Sequence, residues 1–413
     1  MNVVILSTSE FGIAPNRLYK ALQKKGVNVK MLVKTKLTDD NGVISINTSK
    51  VKEFINFIRF VWERLIIFFN NKFNYSNLFK VSIANTGTDL SKHPLITDAD
   101  IIHIHWINQG FLSLKDIDAI IKTNKTVIWT MHDMWVCTGI CHHSWGCENY
   151  TNDCGCCPLL HSKNHNDLSH KVLKTKQFIF QPNIHIVTVS SWLKSIVNKS
   201  SITKNLNVSV IPNVIDLNIF SPEEKEKARR SLNLPLNIKI VLMGAIKIDD
   251  PIKGFSFLKQ AMEKVYKENK DVALALFGNI KDKSIIQGLS FPVFSIDLIK
   301  NPRQIAQLYS AADVNVLPSY YETFGQTIIE AMACGCPSVS FNNSGQTDII
   351  DHKINGYLAQ YEDVDDLAKG IIRILYEANY SELAANAQKK AAGNYSEDIV
   401  AERYIKLYDS ILK

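Results

Sequence analysis

No stretch of this 413-residue sequence reaches the roughly 18 uninterrupted apolar residues that cross a bilayer, so the chain is expected to stay on one side of a membrane, cytoplasmic and at most against its inner face. The opening residues, Met-Asn-Val-Val-Ile-Leu-Ser, have no basic flank and no cleavage-like site, and read as a mature start rather than a signal peptide. No Gly-x-Gly-x-x-Gly fingerprint follows that first strand-like run. Ser9-Glu-Phe-Gly12-Ile-Ala-Pro stands there instead, which argues against a nicotinamide-dependent dehydrogenase yet leaves the Gly12 backbone able to approach a phosphate. Nor does one sign of charge dominate, since 47 basic against 40 acidic side chains leave +7. No basic stripe with stacking aromatics follows a recognisable module, so a nucleic-acid partner is not expected.

What is present is an alternation of strand-like and helix-like runs, the pattern of parallel sheets covered by helices on both faces. Strand-like runs fall at Val3 to Leu6, Val29 to Val33, Ile101 to Ile104, Thr126 to Thr130 and Ile184 to Val189. A second set falls at Ile238 to Met243, Ala273 to Phe277, Val293 to Phe294, Val314 to Leu317, Ser338 to Phe341 and Gly356 to Leu358. Between the sets, Ile211-Pro-Asn-Val-Ile-Asp-Leu-Asn-Ile-Phe-Ser-Pro222 reads as an extended linker with a proline near each end. With 46% hydrophobic residues the chain can bury two cores. The expected class is therefore α/β, with two Rossmann-like domains.

The most informative stretch is Ser319-Tyr-Tyr-Glu-Thr-Phe-Gly-Gln-Thr-Ile-Ile-Glu-Ala-Met-Ala-Cys-Gly-Cys-Pro337. Gly325 and Thr327 open a helix, Ile328, Ile329 and Met332 supply its apolar stripe, and Gly335 with Pro337 closes it. A rise of ~1.5 Å per residue puts the Glu322 and Glu330 carboxylates about 12 Å apart along the axis, roughly the span of a diphosphate and one ring. Between them the amides of Phe324, Gly325 and Gln326, together with the helix dipole, favour a phosphate, while a carboxylate on either side can accept from sugar hydroxyls.

The Glu-x7-Glu spacing followed by Ala-Met-Ala-x-Gly-x-Pro resembles the donor-site signature of retaining glycosyltransferase family 4. The resemblance implies the glycosyltransferase B fold, two Rossmann-like domains facing across a cleft. Residues 1–215 would bind the acceptor, 216–394 the nucleotide sugar, and 395–413 would form a helix crossing back to the first domain. It implies transfer of a sugar from a nucleoside diphosphate to a hydroxyl of a glycan or lipid-linked glycan, with retention of configuration, in surface polysaccharide synthesis of the exopolysaccharide or colanic-acid type. In that frame Lys253 is the diphosphate cation and Glu322 positions the donor sugar, with Glu330 on the ribose. His132 contacts the sugar near the reacting carbon, and Gly244 and Gly278 end strands beside the nucleotide. Where the family commonly has arginine after the strand-end glycine, this chain has Ala245. No metal or other cofactor is expected in catalysis, because Asp98-Ala-Asp100 precedes its strand, whereas the metal-diphosphate site of the other glycosyltransferase fold should follow one. A sugar-nucleotide epimerase of the same architecture and a non-catalytic sugar-nucleotide-binding protein remain as alternatives.

Two further features stand in the first half. Six of the eight cysteines lie within 21 residues, Cys137 to Cys157. A structural zinc held by Cys141, Cys147, Cys154 and Cys157 is the sharper reading of that insertion, and reduced packing cysteines are the alternative. Residues 52–80 interleave aromatic and aliphatic residues with Arg59, Arg64 and Lys72, as in a helix lying in the interface of an anionic membrane or in one packed into a core.

Overall fold

Apolar runs such as Val3-Val-Ile-Leu6 and Val241-Leu-Met243 are buried without alternation, as strands covered on both faces must be. The computed structural model describes residues 1–10, 12–180 and 184–412 and divides the chain into two units, Met1–Pro212 with Val400–Lys413, and Asn213–Ile399. Phe11, within the loop quoted above, lies outside the described residues.

The first unit is built on a parallel sheet of seven strands. They are β1 (Asn2–Ser9), β2 (Asn28–Thr35), β3 (Val43–Ser45), β4 (Ile101–Ile104), β5 (Thr126–Met131), β6 (Ile184–Thr188) and β7 (Asn207–Val210), in the order β3-β2-β1-β4-β5-β6-β7. The second unit has a parallel sheet of six, β8 (Lys239–Lys247), β9 (Val272–Asn279), β10 (Val293–Ile296), β11 (Val314–Leu317), β12 (Ser338–Phe341) and β13 (Gly356–Ala359), in the order β10-β9-β8-β11-β12-β13. Strand order reverses between β1 and β4 and again between β8 and β11. Loops diverge there at the carboxyl ends of the strands, which is where open α/β sheets hold ligands.

The sequence pattern does not reveal β3 and β7. Both are edge strands of three or four residues and only partly buried, too short and too lightly covered to impose a period. The segment Ile211–Pro222 contains no named strand, and Ile215 makes a single parallel bridge to Ser396. The helix Glu397–Leu412 returns the chain to the first unit, burying Val400, Ala401, Tyr404 and Tyr408.

Residues 52–80 are not one continuous helix. The helix runs Lys50–Asn70, capped by Ser49, and the chain then turns through Lys72 and Phe73, both at positive φ. Two of the three cations expected to meet lipid phosphate face the protein instead. Arg59 donates to Asn56 Oδ1 and Thr88 Oγ1, and the buried Arg64 pairs with the fully buried Glu63 at 2.9 Å while donating to the Val81 carbonyl. Uncompensated burial of either charge would be costly, so Glu63 and Arg64 enter the core as a pair.

Candidate active site

At the carboxyl end of β11 the chain leaves the sheet at Pro318 and passes through Glu322 into the helix Gln326–Ala333. This helix turns Ile328, Ile329 and Met332 inward, each buried, and burial of such side chains contributes about 1.5–3 kcal/mol apiece. Gly325 precedes it at φ 112 and no side chain caps it, so the amides of its first turn lack capping partners. The Gln326 Nε2 beside them is buried with no hydrogen-bond partner among the described residues.

The neighbouring loop, after β8, supplies a cation. Lys253 ends a short 3-10 turn, Pro251–Lys253, capped by the Asp250 side chain. Its Nζ donates to Glu322 Oε1 at 2.6 Å, and Ser319 Oγ donates to the same oxygen at 3.0 Å. Burial pulls Lys253 down, but the Glu322 carboxylate and then Asp250 outweigh it, so its pKa is raised and the ammonium stays charged. The two loops are stitched by Tyr320 N–H donating to the Ile252 carbonyl at 2.9 Å. Gly254 sits at φ 71, and a Cβ there would collide with the Pro318 carbonyl, so this close approach requires glycine.

Glu322 is held from a third side by the loop after β12. Its N–H donates to Ser344 Oγ at 3.1 Å, its carbonyl accepts from Gly345 N–H at 2.7 Å, and Asn343 Nδ2 donates to the Tyr320 carbonyl at 2.7 Å. Glu330 lies within the helix, buried, accepting from the Tyr309 hydroxyl at 3.4 Å. Behind it stands a packing chain. The Tyr309 ring meets Phe277 edge-on, and Phe277 occupies the space where a Cβ on Gly244 would be.

In the first unit, three histidines line up at the ends of β4 and β5. His105 Nδ1 lies 2.9 Å from His132 Nε2 with the rings stacked, and the His103 ring is 4.3 Å from His105. His103 also bonds Thr130 Oγ1 and the Tyr408 hydroxyl, both at 2.7 Å, and Thr130 Oγ1 in turn meets the Tyr404 hydroxyl at 3.0 Å. Desolvation lowers all three pKa values, His103 to about 3, His132 to about 4 and His105 well below the usual range. At neutral pH His132 is therefore an uncharged imidazole, suited to hydrogen bonding rather than to acting as an imidazolium acid. Asp133 differs. Burial would raise it, but the His142 contact at 2.6 Å and the Trp135 N–H at 2.8 Å bring it down to about 2, and Trp106 Nε1 also donates to it, at 3.1 Å. His142 reaches Ser82 Oγ with its other nitrogen at 3.0 Å. That Ser-His-Asp sequence has the hydrogen-bond order of a nucleophilic triad, but Ser82 is buried, with Arg64 Nη2 at 3.4 Å, and serves packing.

Residues 237–377 match the family described as glycosyl transferases group 1. The second unit is a group 1 glycosyltransferase domain. Along most of its length the chain is similar to an uncharacterised glycosyltransferase of Methanocaldococcus jannaschii, 27% identical over 80% of this chain and 90% of that protein. Among solved structures it resembles a sucrose-phosphate synthase from Thermosynechococcus elongatus, with a TM-score of 0.69, 20% identity, and coverage of 100% of this chain and 99% of that one. It also resembles Anabaena HepE in complex with UDP-glucose, with a TM-score of 0.63, 16% identity, and coverage of 99% and 100%. The architecture is thus the glycosyltransferase B fold, two parallel-sheet α/β units.

Within the glycosyltransferase domain, Lys253, Glu322, Phe324, Gly325 and Gln326 fall in adjoining loops, and Glu330 follows two turns later. Gly244 and Gly278 have packing reasons of their own, since Gly278 sits at φ 136 where a Cβ would collide with the Ala245 carbonyl. Lys247, the other cation near Ala245, is exposed beyond a bulge in β8. Gly12, after β1, has φ −57 and accepts from Asn16 N–H as the helix Ile13–Lys24 begins. Sequence reasoning missed Ser344, Asn343 and Tyr309. The polar run Asn342-Asn-Ser-Gly-Gln346 between two buried strands was the available signal for the loop, and nothing local marks Tyr309.

In the first unit, Cys141, Cys147, Cys154 and Cys157 line one small cavity of about 20 Å³. All eight cysteines are unpaired. No group of three or more His, Cys, Asp or Glu among the described residues is arranged to hold a metal as it stands.

Proposed function

We propose that the protein transfers a sugar from a nucleoside diphosphate to an acceptor hydroxyl with retention of configuration. The observation that carries this reading is the charged Lys253, held by Glu322 at 2.6 Å beside the uncapped N-terminus of Gln326–Ala333. A cation and the positive end of a helix that no side chain caps suit an anion, while Glu322 and the nearby hydroxyls present acceptors for a polyhydroxylated ligand. As the bond from the anomeric carbon to the diphosphate oxygen breaks, its electron pair leaves with the diphosphate. Fixed positive charge at that oxygen stabilises the departure, and the acceptor oxygen forms the new bond as its hydroxyl proton passes to the departing diphosphate. Glu322 then has two tasks: it keeps Lys253 in place before the donor binds and accepts from sugar hydroxyls once the diphosphate shares the ammonium. In this reading Glu330 serves the ribose. The complex of Anabaena HepE with UDP-glucose supports a nucleotide sugar as the donor class.

A thermal-shift screen of UDP-, GDP- and ADP-sugars should give one selective stabilisation, near 2.7 kcal/mol at a hundredfold excess over Kd. It should disappear in Glu322→Ala and Lys253→Ala. No shift with any donor, from protein that melts cooperatively, would sink the reading. Turnover of the stabilising donor without any acceptor would point to an epimerase instead.

The acceptor we place on a lipid, in surface polysaccharide synthesis. The helix Lys50–Asn70 leaves Phe54, Phe57, Ile58, Trp62, Leu65 and Phe69 exposed, and the turn after it adds Phe73, Tyr75 and Phe79. So large an apolar face is uncommon on a soluble monomer. Lys52, Lys72 and Lys80 are exposed around it, which suits an anionic surface, with rings at headgroup depth and ammonium groups at phosphate. Wild-type protein should float with anionic vesicles and less with zwitterionic ones, and Phe57→Ser with Trp62→Ser should remain at the bottom of the gradient. Equal flotation of both proteins, or a wild-type dimer that the double variant dissolves, would rule out the bilayer.

A further inference from the structure

The loop between β5 and the helix Leu168–Ile179 contains five cysteines after Cys137, and they do not share one environment. Cys141, Cys147, Cys154 and Cys157 line the same small cavity, while Cys156, adjacent in sequence to one of them, does not. Four thiols line a hole of about 20 Å³, the number of ligands a tetrahedral zinc takes. The backbone is bent to bring them there. Trp145, Gly146, Cys154, Gly155 and Cys156 all have positive φ, between 46 and 99°, so the chain doubles back on both sides of the cavity. A Cβ on Gly139 would collide with the Ser169 carbonyl and one on Gly155 with the His165 carbonyl, which keeps the loop pressed against the following segment.

Two observations independent of the spacing concern charge. Backbone N–H groups are directed at sulfur: that of Gly139 at Cys154, and those of Leu159 and Leu160 at Cys157. Burial outweighs these donors and raises both thiols, Cys154 to about 11, so the N–H groups only offset part of the cost of a thiolate there. Next to the cluster lies Lys176, fully buried, its ammonium donating to the carbonyls of Trp135 at 2.6 Å and Thr138 at 3.0 Å and resting 3.4 Å from the centre of the Trp135 ring. No carboxylate among the described residues lies within ion-pair distance of it, although Cys141 and Cys154 are among its nearest titratable neighbours. Burial pulls Lys176 down to about 7, and the groups that oppose this are Cys141 and Cys154, then Asp133 and Cys137, so two of the four cavity cysteines are among its nearest sources of negative charge.

We propose that Cys141, Cys147, Cys154 and Cys157 bind one structural zinc ion, whose anionic tetrathiolate is compensated by Lys176. On binding, the four thiols release four protons to solvent and the ion takes four sulfur ligands, leaving a net charge of −2 beside the lysine ammonium. No electrons are exchanged. In the structure as it stands the sulfurs are not at coordination distance, and rotation between staggered wells about χ1 is the movement available to each. The ion would lock the loop that presents His142 to Asp133, making it a structural rather than a catalytic metal, distinct from the donor site.

The test is the metal content of full-length protein purified without chelator or immobilised metal. About one zinc per chain is expected, released when the thiols are titrated with an organomercurial and a chromophoric chelator reports the metal. Replacement by cobalt should give the intense ligand-field and thiolate charge-transfer bands of a tetrahedral tetrathiolate. Cys141→Ser and Cys157→Ser should each lose most of the metal, while Cys156→Ser and Cys334→Ser retain it. The Cys156 variant alters the same loop without touching the cavity, so it separates ligation from mere disturbance of the fold. Zinc below about a tenth per chain with all eight thiols reduced, disulfides among these cysteines, or a loss in Cys156→Ser equal to that in Cys141→Ser would each overturn the proposal.

Discussion

Replacing Lys253 by methionine is expected to lower kcat/KM for sugar transfer by about two to three orders of magnitude, the usual cost of removing one preorganised charge from the atom where charge develops. The geometry explains why little else should change. Lys253 is at the end of a surface turn, its side chain 30% exposed, and it forms an ion pair with Glu322 at 2.6 Å. Methionine retains the aliphatic stem that packs along the turn. What the variant leaves behind is a Glu322 carboxylate with Ser319 but no cation, placed where a diphosphate must sit, so like-charge repulsion adds to the lost attraction. Both kcat and donor affinity should therefore fall, with the melting temperature within a few degrees of wild type. Lys253→Arg should recover part of kcat, whereas Glu322→Gln, which removes the repulsion but also the sugar acceptor, should spare diphosphate binding more than transfer. Steady-state kinetics beside nucleoside diphosphate titrations read these separately. Equal activity of Lys253→Met and wild type would remove Lys253 from the site.

Acid is expected to destabilise the first unit well before its carboxylates titrate. His103, His105 and His132 are held neutral by burial, with folded pKa values below the unfolded value of about 6.5. The unfolded chain therefore binds more protons than the folded one below that point, and stability present at pH 7 is lost as pH falls from 6.5 toward the folded values near 4 and 3. For His103, fully buried between Thr130 and Tyr408, the loss at pH 5 is about 2 kcal/mol, 1.5 units at 1.36 kcal/mol each. The three stand close enough to titrate as a cluster, so their effects will not simply add. The nearest carboxylate, Asp133, stays charged to about pH 2 and softens the effect at His132. Thermal melts at pH 7 and pH 5 should differ by many degrees, and His103→Gln should reduce the difference. A melting temperature that is flat across that interval would refute the neutral cluster.

The donor loop was legible in sequence because its chemistry is local. Glu322, Gly325 and Glu330 are close along one strand, loop and helix, and the strand ends at a proline. The parallel sheets were legible for a similar reason, as doubly covered strands are written as unbroken apolar runs. What could not be read depends on partners far apart in sequence. Lys253 meets Glu322 across 69 positions, His103 meets Tyr408 across 305, and Thr130 meets Tyr404 across 274. The inward turn of two cations on the basic helix was hidden for the same reason. Arg59 and Arg64 look like surface cations in sequence, and only the carboxylate and carbonyls that the fold brings to them show that they face inward. The spacing of the cysteines already set Cys141, Cys147, Cys154 and Cys157 apart from Cys156, and those four line one cavity.

The contacts of Tyr404 and Tyr408 also set an order of events at the ribosome. The strands that carry His103 and Thr130 emerge early, yet their hydroxyl partners are translated only after the whole of the second sheet has been made. Until residues 400–412 are released, the first half of the nascent chain has the His103 imidazole and the Thr130 hydroxyl without their final neighbours. It must wait, incompletely closed, while the later half folds. Chaperones that hold exposed apolar surface would find their longest opportunity in that interval, and premature termination anywhere in the second sheet would leave an unfinished first unit rather than a working half-enzyme.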